Sequence, residues 1–383
     1  MQFRTVSDIR CEDGITTQLG SLIADQFGDQ SVLLVTDPGI IAAGLVDPIK
    51  SALKSGGHTV SVFADVAPDP TVHQVEAGRK AALDAKATMV IGFGGGSAMD
   101  IAKLVAYLAP SSASLEDCFG VDQITPNATV DRLPLIQIPT TAGTGSEVTN
   151  ISIVTTGETT KKGIVDPMLY ADMALLDAAL TLSLPRAQTA ATAIDAMVHA
   201  IEAFTSKRLK NVKSDALAIK ALKLIGPSLM AVMETPDDLA ARRSILLGAN
   251  LAGQAFSNAP VGAVHALAYP VGGHYHVPHG LSNSLVLPHV LTHNIKEGGA
   301  SVAGLYVDLA NAVGLKGGAI GFLDWINALT IETGIERRLR EVEIPETAIG
   351  MLAEDAMLQE RLLINNPVPV SQSQAHTIYE AAW

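Results

Sequence analysis

The sequence contains only 2 cysteines in 383 residues, Cys11 and Cys118. Two thiols this far apart form neither a disulfide framework nor a thiolate metal site, so we expect a protein of the reducing cytoplasm. Charged residues are also scarce, at 17% of the chain, and the formal net charge is -13 with no basic block. This charge argues against nucleic acid or an anionic membrane surface as the main partner.

Long apolar runs are missing as well. Apolar residues make up 48% of the chain, yet no unbroken run is long enough to span a bilayer. The opening residues 1–7 predict a short strand rather than a basic and apolar signal segment. A chain of 383 residues exceeds the usual size of one hydrophobic core, so two domains are expected.

Short apolar runs alternate with helical periodicity in the first half of the chain. Strands are predicted at 31–36, 59–64, 88–93, 133–138 and 173–177, with helices near 41–55, 73–86 and 97–108. This alternation is typical of a parallel sheet covered on both faces. Beyond residue 185 the pattern is helical, with turns predicted at Gly226-Pro227, Thr235-Pro236, Gly253, Gly272-Gly273, Gly298-Gly299 and Gly317-Gly318. We therefore predict an α/β domain at 1–180 and an all-helical domain at 181–383.

A glycine-rich segment follows the predicted strand 88–93. Gly94, Gly95 and Gly96 precede Ser97, which is expected to cap the next helix together with Asp100 in a reciprocal capping box. The amides and dipole at such a helix start attract phosphate, although a well-capped turn without a ligand is the alternative. The segment differs from GxGxxG and follows a late strand.

Two further segments extend this predicted phosphate site. The run 139–147 after another strand carries the hydroxyls of Thr140, Thr141 and Thr144, and such loops at strand ends hold ligands in α/β sheets. Asp37 ends the strand 31–36, where a carboxylate bonds a ribose hydroxyl and repels a 2′-phosphate. Asp37 therefore favours NAD over NADP, unless it is only the turn residue before Pro38.

Histidines cluster in the second half. Four of the 10 histidines lie at positions 265, 274, 276 and 279, in a stretch interrupted by glycines and prolines that we expect to be a loop. Upstream, Asp195 and His199 are four residues apart, on one face of a predicted helix. A carboxylate and several imidazoles predict a site for a divalent metal, whereas a single Asp–His pair is more often structural.

Taken together, these motifs resemble the iron-containing (group III) alcohol dehydrogenase family. The matching segments are GGGSxxDxAK at 94–103, PTTAGTGSEVT at 139–149, the helix with Asp195 and His199, and the histidine-containing segments at 262–280. The resemblance extends over nearly the whole chain. It implies a dinucleotide-binding parallel-sheet domain followed by an all-α metal-binding domain, the architecture also found in dehydroquinate synthase.

The resemblance also implies roles for individual residues. The metal ligands are Asp195, His199, His265 and His279. The dinucleotide site includes Asp37, Gly94, Gly95, Gly96, Ser97, Asp100, Thr140, Thr141, Thr144 and Lys161, although Lys162 beside Lys161 blurs that register.

One position departs from the family pattern. Many relatives carry a further histidine four residues after the third ligand, and here that position is Tyr269. A phenol has an unperturbed pKa of about 10, far from that of histidine. Tyr269 is therefore either a proton relay or a packing residue, with His276 and His274 as alternative relays.

The expected function is a metal-dependent NAD(H) oxidoreductase that interconverts a small alcohol and its aldehyde or ketone. Fe(II) is the expected metal and Zn(II) the alternative. Phe256, with residues 150 and 151, is a candidate for the pocket wall. A zinc polyol dehydrogenase is the nearest rival, and a dehydroquinate synthase-like cyclase is disfavoured because Lys and Arg are sparse around the histidines. A homo-oligomer, most simply a dimer, is expected for a soluble enzyme of this size.

Overall fold

The computed structural model describes residues 2–157 and 160–383. The chain divides into an α/β unit and a helical unit. Residues 5–141 and 145–183 form the α/β unit. The helical unit contains Leu184–Trp383, together with Ala142–Thr144 and the first residues up to Arg4.

Two sheets organise the α/β unit. Its strands are β1 (Asp8–Cys11), β2 (Ser31–Val35), β3 (Thr59–Phe63), β4 (Met89–Gly94), β5 (Gly120–Val121), β6 (Leu135–Pro139), β7 (Ile151–Thr156), β8 (Thr160–Val165) and β9 (Met173–Leu176). The main sheet has the order β1-β9-β6-β4-β2-β3, and all of its pairings are parallel. A smaller sheet has the order β5-β8-β7.

Helices cover both faces of the main sheet, as predicted. The helices of this unit are α1 (Leu19–Phe27), α2 (Pro38–Ala42), α3 (Val46–Ser55), α4 (Val72–Asp84) and α5 (Gly96–Leu108). Successive residues of β2 enter different cores, since Leu33 and Val35 join one apolar cluster while Val32 and Leu34 join another. A strand buried on both faces explains why β2 is apolar throughout instead of alternating.

The helical unit consists of longer helices packed on one another. They are α6 (Arg186–Thr205), α7 (Val212–Glu234), α8 (Leu239–Asn258), α9 (Ala263–Tyr275), α10 (His279–Glu297), α11 (Gly299–Ala312), α12 (Gly318–Thr333), α13 (Ile349–Ala356), α14 (Glu360–Leu363) and α15 (Gln372–Ala382). Helix α6 contacts α7, α8 and α10, and α9 contacts α10. Helix α6 is buried along most of its length, which matches its Ala-rich sequence.

The strands β2, β3, β4, β6 and β9 overlap the predicted runs, but the prediction of a strand at residues 1–7 was wrong. Residues 2–7 are not in a strand and β1 begins at Asp8, while Met1 lies outside the described residues. The smaller sheet was not predicted. Strand β5 is only two residues long and β8 is rich in Thr and Lys, so neither has the apolar signal of a buried strand.

Three predicted turns were also wrong. Gly226-Pro227 lies inside α7, Gly253 inside α8 and Gly272-Gly273 inside α9. At Gly226 the reason is packing, because a Cβ atom there would lie 2.5 Å from Cζ2 of Trp325. The glycine permits close helix approach at this point and does not mark a turn.

Helix α7 is the one helix in the described part of the chain that is long and apolar enough to cross a membrane by length and composition alone. Lys220 and Lys223 interrupt it, so no unbroken apolar run was visible in the sequence. The helix packs against α6 and α8, and 44% of its apolar window is buried inside the protein. These contacts are those of a core helix in a globular domain.

Candidate functional site

Three helices of the helical unit contribute the metal-ligand candidates. Asp195 and His199 lie one turn apart on α6, His265 lies in the first turn of α9, and His279 is the first residue of α10. The histidine-rich stretch is therefore mostly helical, and the prediction that it forms a loop was wrong. The chain turns between α9 and α10 at His276, whose φ of 54° is in the left-handed region.

The four side chains converge on one point. One donor atom from each lies within 4.8 Å of all the others. Asp195 Oδ1 is 4.0, 3.9 and 3.7 Å from the Nε2 atoms of His199, His265 and His279, respectively. One carboxylate oxygen and three imidazole nitrogens around a common centre fit a divalent transition metal and leave a coordination position for a substrate.

Burial controls the protonation of this cluster. Desolvation lowers the pKa of His199 to about 4, against the attraction of Asp195, so the imidazole is neutral at neutral pH and its lone pair is available. Burial acts to raise the pKa of Asp195, but the three imidazoles and the hydrogen bond from Asn283 more than offset it, and the net shift is downward. An ionised carboxylate and a neutral imidazole are the forms that bind a metal.

Glu202 fixes the orientation of His265. The Glu202 carboxylate is 4% exposed and lies 2.6 Å from His265 Nδ1, while its other oxygen accepts a 2.7 Å hydrogen bond from the Val264 amide. A proton held on Nδ1 by this carboxylate leaves the Nε2 lone pair directed toward the cluster. Glu202 lies three residues after His199 on the same helix, so helical spacing was the signal in the sequence that could have identified it.

Aromatic side chains border the cluster. The ring of Phe256 stacks on His199 at a centroid distance of 4.3 Å, and Tyr269 lies 6.0 Å from the ring of His279. The His279 side chain is 33% exposed whereas that of Asp195 is 2% exposed, so the cluster is most accessible at His279. The ring contact with His279 favours Tyr269 over the exposed His276 as the polar group beside the ligands.

In the α/β unit, the glycine segment joins β4 to α5. Strand β4 ends at Gly94, Gly95 is the N-cap residue, and α5 begins at Gly96. The expected capping box at Ser97 was wrong, because Ser97 lies inside the first turn and the cap has no side-chain hydrogen bond. A Cβ atom on Gly94 would lie 3.0 Å from that of Ala98, so glycine permits this tight entry into the helix.

The other predicted phosphate-site residues lie at the same sheet edge. Strands β4 and β6 are neighbours, and the Thr140 amide donates to the Gly94 carbonyl at 3.0 Å. Asp37 follows β2 on the other side of β4, and a Cβ atom on Gly94 would lie 3.2 Å from Asp37 Oδ2. Asp37 also caps α2 by accepting a hydrogen bond from the Ile40 amide. The carboxyl ends of three adjacent parallel strands are where α/β sheets bind nucleotides.

Asp100 lies behind this edge, in a buried polar network. It accepts hydrogen bonds from Ser146 Oγ at 2.6 Å and from the Ile153 amide at 2.9 Å. Lys103 is fully buried, and its ammonium donates to Ser146 Oγ at 2.7 Å and to the Ile151 carbonyl at 2.6 Å. Burial lowers the pKa of Lys103, against the attraction of Asp100. The network ties α5 to residues 146–153, so Asp100 supports the loop and does not cap the helix.

Two predicted residues have other surroundings. Lys161 Nζ donates a 2.6 Å hydrogen bond to Asp69 Oδ1 within the α/β unit. Thr144 is grouped with the helical unit and not with Thr140 and Thr141.

Comparison with known proteins places the chain in a family. Residues 7–178 match the family model for iron-containing alcohol dehydrogenase, and residues 189–383 match that for the C-terminal part of the same family. The chain belongs to the iron-containing alcohol dehydrogenase family and is an oxidoreductase. This result favours the predicted activity over the polyol dehydrogenase and cyclase alternatives.

Individual relatives cover almost the full length. The long-chain-alcohol dehydrogenase 1 of Geobacillus thermodenitrificans is 41% identical over 370 residues, covering 94% of this chain and 91% of the relative. A solved 1,3-propanediol oxidoreductase is 30% identical with a TM-score of 0.93, covering 100% of this chain and 99% of the other. A sulfoacetaldehyde reductase from Bifidobacterium kashiwanohense, solved in complex with NAD+, is 29% identical with a TM-score of 0.88, covering 100% and 98%.

Proposed function

We propose that this enzyme interconverts a primary alcohol and its aldehyde, with Fe(II) held by Asp195, His199, His265 and His279 and with NAD as the hydride carrier. The observation that carries the proposal is the convergence of one carboxylate and three imidazoles in a cluster that is accessible at His279. The names of the relatives support the substrate class, since they include a long-chain-alcohol dehydrogenase, a 1-propanol dehydrogenase and a lactaldehyde reductase.

Each cofactor supplies one element of the chemistry. The metal, when bound, supplies Lewis acidity toward the substrate oxygen. The nicotinamide, when bound, supplies the acceptor or donor of the hydride. The protein contributes the position and protonation state of its own groups: His199 presents a neutral imidazole, and Glu202 keeps the proton of His265 on Nδ1.

The alcohol proton needs a separate path. Tyr269 lies beside His279, the most exposed of the four ligands, so its phenol is one candidate for this path. The ring of Phe256 stacks on His199 and covers that side of the cluster. We propose that Tyr269 mainly packs against the site and that water or a neighbouring histidine moves the proton.

Asp37 supports NAD over NADP as the cofactor. Its carboxylate lies at the carboxyl end of β2, beside the glycine segment that leads into α5. A 2′-phosphate there would meet a like charge, and this repulsion is larger in a partly desolvated site than in bulk water.

The test combines turnover with metal analysis. We expect purified enzyme loaded with Fe(II) to reduce NAD with primary alcohols of short and long chain. Turnover is measured in parallel on samples loaded with Zn(II), and the Fe(II) samples should be the more active. The variant His279→Ala should lose metal and turnover together and keep its affinity for NAD, because the glycine segment belongs to the other unit.

A matched control is available in the same unit. His376 is on α15, and its ring is paired with Glu380 and 45% exposed, so His376→Ala should keep both metal and turnover. Full metal content and full turnover in His279→Ala would contradict the assignment of the metal site.

We also propose that the enzyme is a cytoplasmic homo-oligomer. The two distant cysteines and the general prevalence of symmetric oligomers support this proposal. Light scattering of the purified chain would measure the oligomeric state, and the mass of a monomer would contradict the proposed homo-oligomer.

A further inference from the structure

Asn283 contacts three of the four metal-ligand candidates. Its Nδ2 atom lies 2.6 Å from Asp195 Oδ1 and 3.3 Å from the Nε2 atoms of His265 and His279. Asn283 follows His279 by one turn on α10, which brings its amide beside that ring. The residue is 0% exposed, so the amide is screened from bulk solvent.

The nitrogen and the oxygen of the Asn283 side-chain amide have different surroundings. Nδ2 donates to Asp195 Oδ1 and lies 3.3 Å from two imidazole nitrogens, whereas Oδ1 is buried and has no hydrogen-bond partner among the described residues. A buried carbonyl without a partner costs free energy, so the orientation of the side chain is not explained by its own hydrogen bonding. The opposite orientation would direct Oδ1 at the Asp195 carboxylate, where two oxygens repel. The ligand cluster therefore determines the orientation of Asn283.

A hydrogen bond to Asp195 has a specific consequence. An ionised carboxylate accepts at about four lone-pair sites, so one bond from Asn283 leaves others free for a cation. The bond fixes the rotation of the carboxylate, and bonds of this charge-assisted type are stronger than neutral ones. A ligand held in its binding orientation loses less conformational entropy when the cation binds.

We infer that Asn283 is a positioning residue of the metal centre, whose amide N–H holds the Asp195 carboxylate toward the three imidazoles and so strengthens the binding of a divalent cation. This inference rests on the proposed function, because it takes Asp195, His265 and His279 as ligands. Groups that orient metal ligands typically change metal affinity by about 10- to 100-fold.

The experiment uses Co(II) as the probe. Its affinity for the full-length enzyme is measured by competition with a chelator, and its visible absorption reports the coordination geometry. Asn283→Leu keeps a similar volume without donor or acceptor, and Asn283→Ala tests the same loss if leucine impairs folding. Ser284→Ala is the matched control, since Ser284 is buried on the same helix and its hydroxyl has no hydrogen-bond partner in the described part of the chain. Thermal unfolding in excess chelator checks that each variant folds.

The expected result is Co(II) binding about 10- to 100-fold weaker in Asn283→Leu and Asn283→Ala, with an altered absorption band, and wild-type behaviour in Ser284→Ala. Unchanged Co(II) affinity in Asn283→Leu and Asn283→Ala would overturn the role of Asn283 alone. Wild-type enzyme that binds no Co(II) would overturn the metal centre and the inference together.

Discussion

Replacing Glu202 by glutamine is expected to weaken metal binding although the side chain keeps its shape. In the native protein one Glu202 oxygen accepts from the Val264 amide and the other holds the Nδ1 proton of His265. If the glutamine oxygen keeps the bond to Val264, its NH2 group faces Nδ1. The imidazole then carries its proton on Nε2, and that nitrogen has no lone pair for a metal.

The magnitude follows from this change of tautomer. Loss of a group that orients a metal ligand typically costs about 10- to 100-fold in affinity, which corresponds to roughly 1.4 to 2.7 kcal/mol. The upper half of this range is expected for Glu202→Gln, because the tautomer must revert before His265 can bind. Glu202→Asp should lie nearer the lower end, since it keeps the charge but shortens the reach.

The assay is competition between the enzyme and a chelator for Zn(II), with Glu234→Gln as the control. Glu234 is an exposed carboxylate in the same unit, at the end of α7, and its neutralisation should leave the affinity unchanged. If Glu202→Gln binds Zn(II) as tightly as the wild type, the Glu202 carboxylate does not set the tautomer of His265, and the reasoning is refuted.

Three further outcomes are expected. Asp37→Gly should relax a preference for NAD(H) toward NADP(H), measured as the ratio of the two kcat/KM values, and equal use of both cofactors by the wild type would contradict the assigned role. Tyr269→Phe should change turnover by a few-fold at most, whereas loss of a general acid–base group costs about 100-fold or more; a collapse with intact metal content would show that the phenol moves the proton. In excess chelator, the free energy of unfolding should fall as pH drops from 6.5 toward 4, because His199 is held neutral in the folded state with its pKa lowered to about 4 and takes up its proton on unfolding. Denaturant titration of His199→Gln, which lacks this imidazole, should show a weaker fall over that range, and an equal fall would exclude His199 as its source.

The sequence predicted those parts of the fold that have a strong periodic signal. The buried strands such as β2 and β4 are uninterrupted apolar runs, and both were located from the sequence. Glycine was the main source of error in predicting turns. A glycine that permits close helix packing and a glycine that ends a helix look alike in a sequence. Gly226 permits a close approach to Trp325 inside a helix, whereas Gly334 closes α12 with a positive φ. Only the packing partner distinguishes these cases.

The metal-ligand candidates were predicted from the sequence, but the residues that contact them were not. Asp195 and His199 share one helix face, and family resemblance added His265 and His279, so the convergence of the four was anticipated. Their roles in the reaction remain predictions. No role was predicted for Glu202, despite its helical spacing from His199, or for Asn283, because the sequence does not show which atoms a carboxylate or an amide contacts. Those atoms lie 63 and 88 residues away along the chain, on other helices.

The placement of the ligands on three separate helices makes a bound metal a cross-link of the chain. His199 and His265 are 66 residues apart in sequence, and a metal between them closes a loop of that length, much as a disulfide would. Neither α9 nor α10 can then move away from α6 while the metal is held. A metal that binds only the folded arrangement of these helices therefore adds to the stability of their packing, and the described residues contain no disulfide that would do the same.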